Sequence, residues 1–281
     1  MIKSSYRVQR KISRLTLYAV LLSFGIVLLL PVAWMVTVSF RPNVEVLKIP
    51  PTWIPEKFTF DSYKKVLTNL RYLRCFWNSY FVSLTVTLLA LFFGSLSGYG
   101  LARFNFRGKR ALILFLLATQ TFPLVLLSLP YFQVVVKLGL YDNLLSLILV
   151  YLSFCLPFSI LMLRNYFQEL PIELEEAAMV DGCTRLGALW RVTIRISFPA
   201  MVGTGLYTFL LAWNEFLFAM IVVESWSNRV LTIAIYSLLS EFVTDWTTMM
   251  SFSALASLPI IIAFIFLQKY VIRGMTMGAI K

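Results

Sequence analysis

Six stretches of this chain carry almost no charge. Leu15–Phe40, Cys75–Ala102, Ala111–Val136, Asn143–Leu163 and Trp246–Gln268 contain no Asp, Glu, Lys or Arg, and Ile196–Val223 contains Glu215 alone. Crossing the hydrocarbon of a bilayer takes about 20 residues as a helix, and every run is long enough. Barrel strands are roughly 10 residues of alternating polarity, a pattern these runs lack. Of the 281 residues 59% are hydrophobic and only 14% charged, and the mean hydropathy is +0.81. One soluble core cannot hide that much apolar surface, so lipid must cover much of it. The reading is an all-α polytopic membrane protein, one domain over 1–281, with spans at about 15–40, 75–102, 111–136, 143–163, 196–223 and 246–268.

Lys and Arg set the expected orientation. Six spans put both termini on one side, together with loops 103–110 and 164–195. That side holds 16 of the 25 basic residues and the opposite side 9. Cytoplasmic loops carry the excess of Lys and Arg, so both termini and the 164–195 loop are expected in the cytoplasm. The +12 net charge flanks spans and forms no aromatic-interleaved patch; it reads as membrane topology and not as nucleic-acid binding. Lys3, Arg7, Arg10, Lys11 and Arg14 before an apolar run imitate a signal peptide. The run exceeds a signal core of about 7–15 residues, and a retained first helix is expected.

The one long polar interruption in the second half is PIELEEAAMVDGCTRLGALWRVTIRISFP, Pro171 to Pro199. Pro171 suits a first helical turn, where its missing N–H is not needed. Glu173, Glu175 and Glu176 follow where carboxylates complement the positive end of the helix dipole. Gly182 can end the helix at positive φ. Leu186, Leu189, Trp190 and Thr193 then recur at helical spacing and predict a second helix. Between two spans, this is a helix–turn–helix. Its bland alternative is a helix pair that merely shields the membrane boundary. Outside, the polar KFTFDSYKKVL of segment 41–74 predicts a short surface helix.

Several chemistries are excluded. The chain has no histidine, which removes Ser-His and Cys-His dyads and His-bearing metal sites. Cys75, Cys155 and Cys183 are far apart, form no CxxC motif and read as small apolar fillers. No GxxxxGK loop occurs, so this chain does not bind ATP by that mechanism. GSLSGYG, from Gly94 to Gly100, has the small residues of close helix packing in membranes.

Glu215 is the single acidic residue within a span. A carboxylate there must face a partner, a cavity or water. It reads either as a translocation-path or gate residue beside Trp213 and Asn214, or as a structural contact to a neighbouring helix. Proton coupling needs several groups along a path, and here there is one.

Glu176-Ala177-Ala178, Asp181-Gly182 and Pro199, with LPFSILMLRNYF at 156–167, WNEF at 213–216 and the terminal RGMTMGAIK, resemble the permeases of type I ABC importers. The likeness is to the second permease of the carbohydrate (maltose-type) group and covers the chain from about residue 10. It implies that the 164–195 loop is a cytoplasmic coupling loop, with Glu173, Glu176, Ala177, Ala178, Asp181 and Gly182 meeting an ATPase. It also implies a second related permease, two ATPase subunits that hold ATP and magnesium, and an extracytoplasmic solute-binding protein. No catalysis and no cofactor are expected on this chain itself. The implied location is a bacterial or archaeal cytoplasmic membrane and the implied cargo an oligosaccharide. A polyol phosphate or uronate oligomer is the alternative cargo, and a secondary carrier the alternative class. Where the family often has proline after the second loop helix, this chain has Arg195, from which an unbroken passage into the fifth span is expected.

Overall fold

The computed structural model describes the backbone of residues 2–239 and 244–276 and the side chains of residues 14–239 and 244–270. The terminal segment RGMTMGAIK thus lies outside the described side chains. Every regular element among the described residues is helical. Four helices are long and apolar enough to cross a membrane, and two bent pairs raise that to six if each pair is one span.

The chain divides into two compact units. The first comprises residues 1–68 and 238–255. It holds α1 (Ile2–Ser39), α2 (Asn43–Val46), α3 (Asp61–Thr68) and the start of α14 (Trp246–Thr276). The apolar window of α1 is 0% buried, so this helix is covered by whatever surrounds the chain. The outer segment after it has its own small core. Phe40 stacks on Phe58 at 4.6 Å and meets Phe60 and Tyr63. The buried Glu45 accepts from the Glu56 and Lys57 amides at 2.8 and 3.3 Å. The expected surface helix is α3.

The second unit, residues 69–237 and 256–281, holds the remaining helices. Its frame is α4 (Leu70–Arg103) packed along α7 (Leu144–Glu169). The expectation from GSLSGYG holds at this contact. A Cβ on Gly98 would stand 3.0 Å from the Arg164 amide nitrogen and 3.1 Å from the Ile160 carbonyl, so only glycine lets the two backbones approach this closely. Asn69 and Asn143 start these helices, each accepting from a backbone amide two residues on, at 2.9 Å. Leu147, Tyr151 and Cys155 of α7 share a core with Val82, Val86 and Ala90 of α4.

Two expected spans are not single straight helices. The third divides into α5 (Lys109–Thr121) and, after a 3₁₀ turn at Leu124–Leu127, α6 (Ser128–Lys137), with 97° between the halves. Pro123 explains the break. It lacks an amide donor and forces Phe122 out of the helical region, to ψ 131. The fifth span also departs from expectation. The loop helices α8 (Glu173–Val180), α9 (Arg185–Ala188) and α10 (Ile194–Ile196) lead to α11 (Phe198–Trp213) through a turn of 79°. Passage there is therefore not unbroken. Arg195 removes the family proline, but Pro199 stands in the first turn of α11, where it gives no amide to the preceding turn. Past Trp213 the chain breaks again before α12 (Leu217–Val222), and α13 (Leu231–Tyr236) follows.

Candidate functional site

The helix–turn–helix expected at 171–195 is present. Pro171 lies outside the helix it was expected to start; α8 begins two residues later, with Ile172 as its cap. Gly182 ends the turn at φ +88, a left-handed conformation that only glycine adopts without strain. Thr184 opens the second helix, its hydroxyl accepting from the Gly187 amide at 3.1 Å. Between α9 and α10 runs a π-turn, Leu189–Thr193. It inserts an extra residue into the stripe read from Leu186, Leu189, Trp190 and Thr193. Leu189 and Thr193 are consequently buried, whereas Leu186 and Trp190 remain 60% and 43% exposed.

Two anchors fix this loop to the ends of α4 and α7. One is apolar: Leu189 is fully buried against Tyr99, Leu163, Tyr166 and Phe167. The other is ionic and centres on Glu175, whose side chain is 5% exposed. Arg103, at 9%, donates to its Oε1 through Nη2 at 2.7 Å and through Nε at 2.9 Å. Tyr99 donates its hydroxyl to Oε2 at 2.8 Å, and Thr193 donates to Oε1 at 3.0 Å. Arg103 Nη2 also reaches the Leu170 carbonyl at the end of α7, at 3.1 Å. Both charges thus have good geometry and further hydrogen bonds, the condition under which a buried pair repays its desolvation. Three chain segments meet at one carboxylate, and Arg103 ties in the end of α7 as a fourth. Sequence reasoning placed Glu175 in the first turn but did not single it out.

The residues it did single out face the other way. Glu173, Glu176, Ala177, Asp181 and Gly182 are exposed and Ala178 is half-buried. Around them Val180 is 87% exposed and Leu174 43%. The result is an acidic and apolar face on a loop clamped from behind.

The second candidate group separates in space. Trp213 is 3% exposed, packed between Tyr80 at 4.8 Å and Phe209 at 5.3 Å, so in this chain it presents no face to a path. Asn214 and Glu215 border a recess of about 350 Å³ with Tyr207, Leu210 and Leu211. The Glu215 carboxylate is engaged by the first turn of α12: Phe218 N donates to Oε1 at 2.9 Å and Ala219 N to Oε2 at 3.1 Å. Its carbonyl accepts from the Thr232 hydroxyl at 2.8 Å, tying the break to α13. Glu215, one residue before the N-cap Phe216, thus satisfies first-turn amides of the short helix α12 with its side chain as well as lining the recess.

Helices long and apolar enough to cross a membrane, with a clamped polar loop between them, describe a polytopic membrane protein. Residues 90–277 match the family described as binding-protein-dependent transport system inner membrane component, and the chain belongs to it. Its relatives include the inner membrane ABC transporter permease protein YcjP of Escherichia coli (strain K12), 32% identical over 97% of this chain and 98% of that one. The diacetylchitobiose uptake system permease protein DasC of Streptomyces coelicolor is 32% identical over 94% and 95%. The arabinooligosaccharides transport system permease protein AraQ of Bacillus subtilis is 34% identical over 95% of each. A solved bacterial ABC transporter involved in the import of the acidic polysaccharide alginate has the same fold. Its chain matches with a TM-score of 0.78 at 24% identity, over 91% of this chain and 95% of that one.

Proposed function

We propose that this chain is one of two related permease subunits of an ATP-driven importer, carrying a carbohydrate, most simply an oligosaccharide, from an extracytoplasmic binding protein into the cytoplasm. The carrying observation is the loop at 171–195, held from behind by the Glu175–Arg103 pair and displaying Glu173, Glu176 and Asp181. A lever of this kind transmits displacement only if its own contacts hold in both states. Two ATPase subunits dock on that face, bind ATP and magnesium, and drive the exchange between inward- and outward-facing paths. The oligosaccharide cargo is supported by relatives named for diacetylchitobiose and arabinooligosaccharides. The chain's membership of a binding-protein-dependent family weighs against a secondary carrier.

The test is uptake by proteoliposomes holding the complex, with binding protein outside. Labelled oligosaccharide is expected to accumulate only with ATP inside. Accumulation driven by an ion gradient without ATP would defeat the reading.

Orientation is part of the proposal, with both termini and the coupling loop in the cytoplasm. Cys75 and Cys155 are buried and Cys183, beside the Gly182 turn, is not. A membrane-impermeant thiol reagent is therefore expected to label Cys183 alone, and only after spheroplasts are opened. A cysteine placed at Glu56, in a background without native cysteines, is expected to label from outside. The reverse pattern would invert the topology.

A further inference from the structure

A basic recess lies beside α5. It is a cavity of about 870 Å³ between the 104–108 loop, the first turn of α5 and α7, lined by Lys109, Arg110 and Arg164. Gly108, left-handed at φ +88, starts α5 without any side-chain cap, so the positive end of a 13-residue helix opens toward the same place. Arg164 offers Nη1 to Asn165 Oδ1 at 3.0 Å, but its Nε is buried with no partner. Lys109 Nζ donates to the Phe104 carbonyl at 2.9 Å and to Asn105 Oδ1 at 3.3 Å, both neutral acceptors. Among the described residues no carboxylate pairs with any of the three cations; the ion pairs present involve Lys48, Lys65 and Arg103. The loop itself, RFNFRGKR, has no acidic residue.

The described residues thus leave this cluster without a counter-charge. The surroundings indicate what supplies one. Leu114 lines the recess and is 56% exposed, and Phe115 next to it is 64% exposed. Cations thus meet exposed apolar surface at the point where α5 begins its apolar run. A soluble anion would leave that surface bare, whereas a phospholipid covers both parts at once. We propose that this recess binds the phosphodiester headgroup of an anionic phospholipid, with Lys109, Arg110 and Arg164 around the phosphate and the acyl chains along Ile113 and Leu114. Basic pockets at the membrane boundary recognise lipids in this way. The assignment does not depend on what the protein transports.

Native mass spectrometry of the full chain, purified with the subunits that accompany it, tests this. The protein is first equilibrated with phosphatidylcholine vesicles containing a minority of phosphatidylglycerol. The wild type is expected to retain phosphatidylglycerol over phosphatidylcholine, and Lys109→Gln with Arg110→Gln to lose on the order of tenfold in that retention. Arg164→Gln, nearer the core, is expected to lose selectivity while still co-purifying with its partners. Millimolar inorganic phosphate alone is not expected to displace the lipid. Unchanged retention in the Lys109/Arg110 variant would overturn the proposal. So would displacement by phosphate, which would make this a soluble-anion site. Loss of the ATPase subunits with lipid retention intact would make it a protein contact, and would equally overturn it.

Discussion

Glu175→Ala is expected to cost about 3 to 5 kcal/mol in the stability of the loop, because it leaves Arg103 buried without its partner. The residue's neighbours make the effect larger than that of a surface glutamate. Arg103, Tyr99 and Thr193 all donate to this one carboxylate, from α4 and from the second loop helix. Losing it releases α8 from both at once. The purified complex should melt at lower temperature, and uptake per assembled complex should fall more steeply than ATP hydrolysis does. Glu175→Gln removes the charge and one of the two acceptor oxygens, so it can still accept from Tyr99 or from Thr193 but not from both, and an intermediate loss is expected. Arg103→Ala should resemble Glu175→Ala. A Glu175→Ala complex with unchanged melting and uptake would show that the buried pair does not hold the loop.

Glu215→Leu is the second large effect. The leucine removes both acceptors at the start of α12 and leaves the Phe218 and Ala219 amides unpaired beside a break in the chain. Unmade hydrogen bonds of buried groups cost about 1–3 kcal/mol each. Lower yield of assembled complex and an earlier melting transition are expected, with uptake per surviving complex near normal. Glu215→Gln retains one acceptor and should restore most of the assembly. If Glu215→Gln instead assembles fully but changes uptake rate or sugar preference, the carboxylate acts in the path and not as an acceptor for these amides.

These two glutamates show what the sequence can and cannot disclose. The six long apolar runs, five of them free of charge, lead directly to an all-helical membrane fold, since period and length are local properties. Gly182 was legible because a glycine closing an acidic, Ala-rich turn has one conformational use, and its φ of +88 bears that out. The break of the third span was announced by Pro123, and the bend before α11 by Pro199. A hydropathy run registers neither break, because it counts residues and ignores missing amides. Glu175 was hidden for another reason. It stands beside Glu176 in the same motif, and only the 100° step around the helix separates a buried carboxylate from an exposed one. Its partner Arg103 is 72 positions away. The one available signal was that Arg103 is the first charge after Cys75–Ala102, a cation at the very end of a packed span. Glu215 was visible as an anomaly, but its role depended on a helix break that the local sequence does not mark.

The coupling role of the exposed face is tested most directly by Glu176→Lys. Glu176 touches none of the clamp groups and is exposed, so the substitution reverses charge on the docking face without disturbing the fold behind it. The measurement is oligosaccharide uptake and ATP hydrolysis per assembled complex in proteoliposomes, with membrane insertion and subunit stoichiometry quantified in parallel. With insertion intact, uptake is expected to fall to background, the ATPase subunits either dissociating or hydrolysing ATP without response to the binding protein. Normal uptake by a fully assembled Glu176→Lys complex would contradict the account.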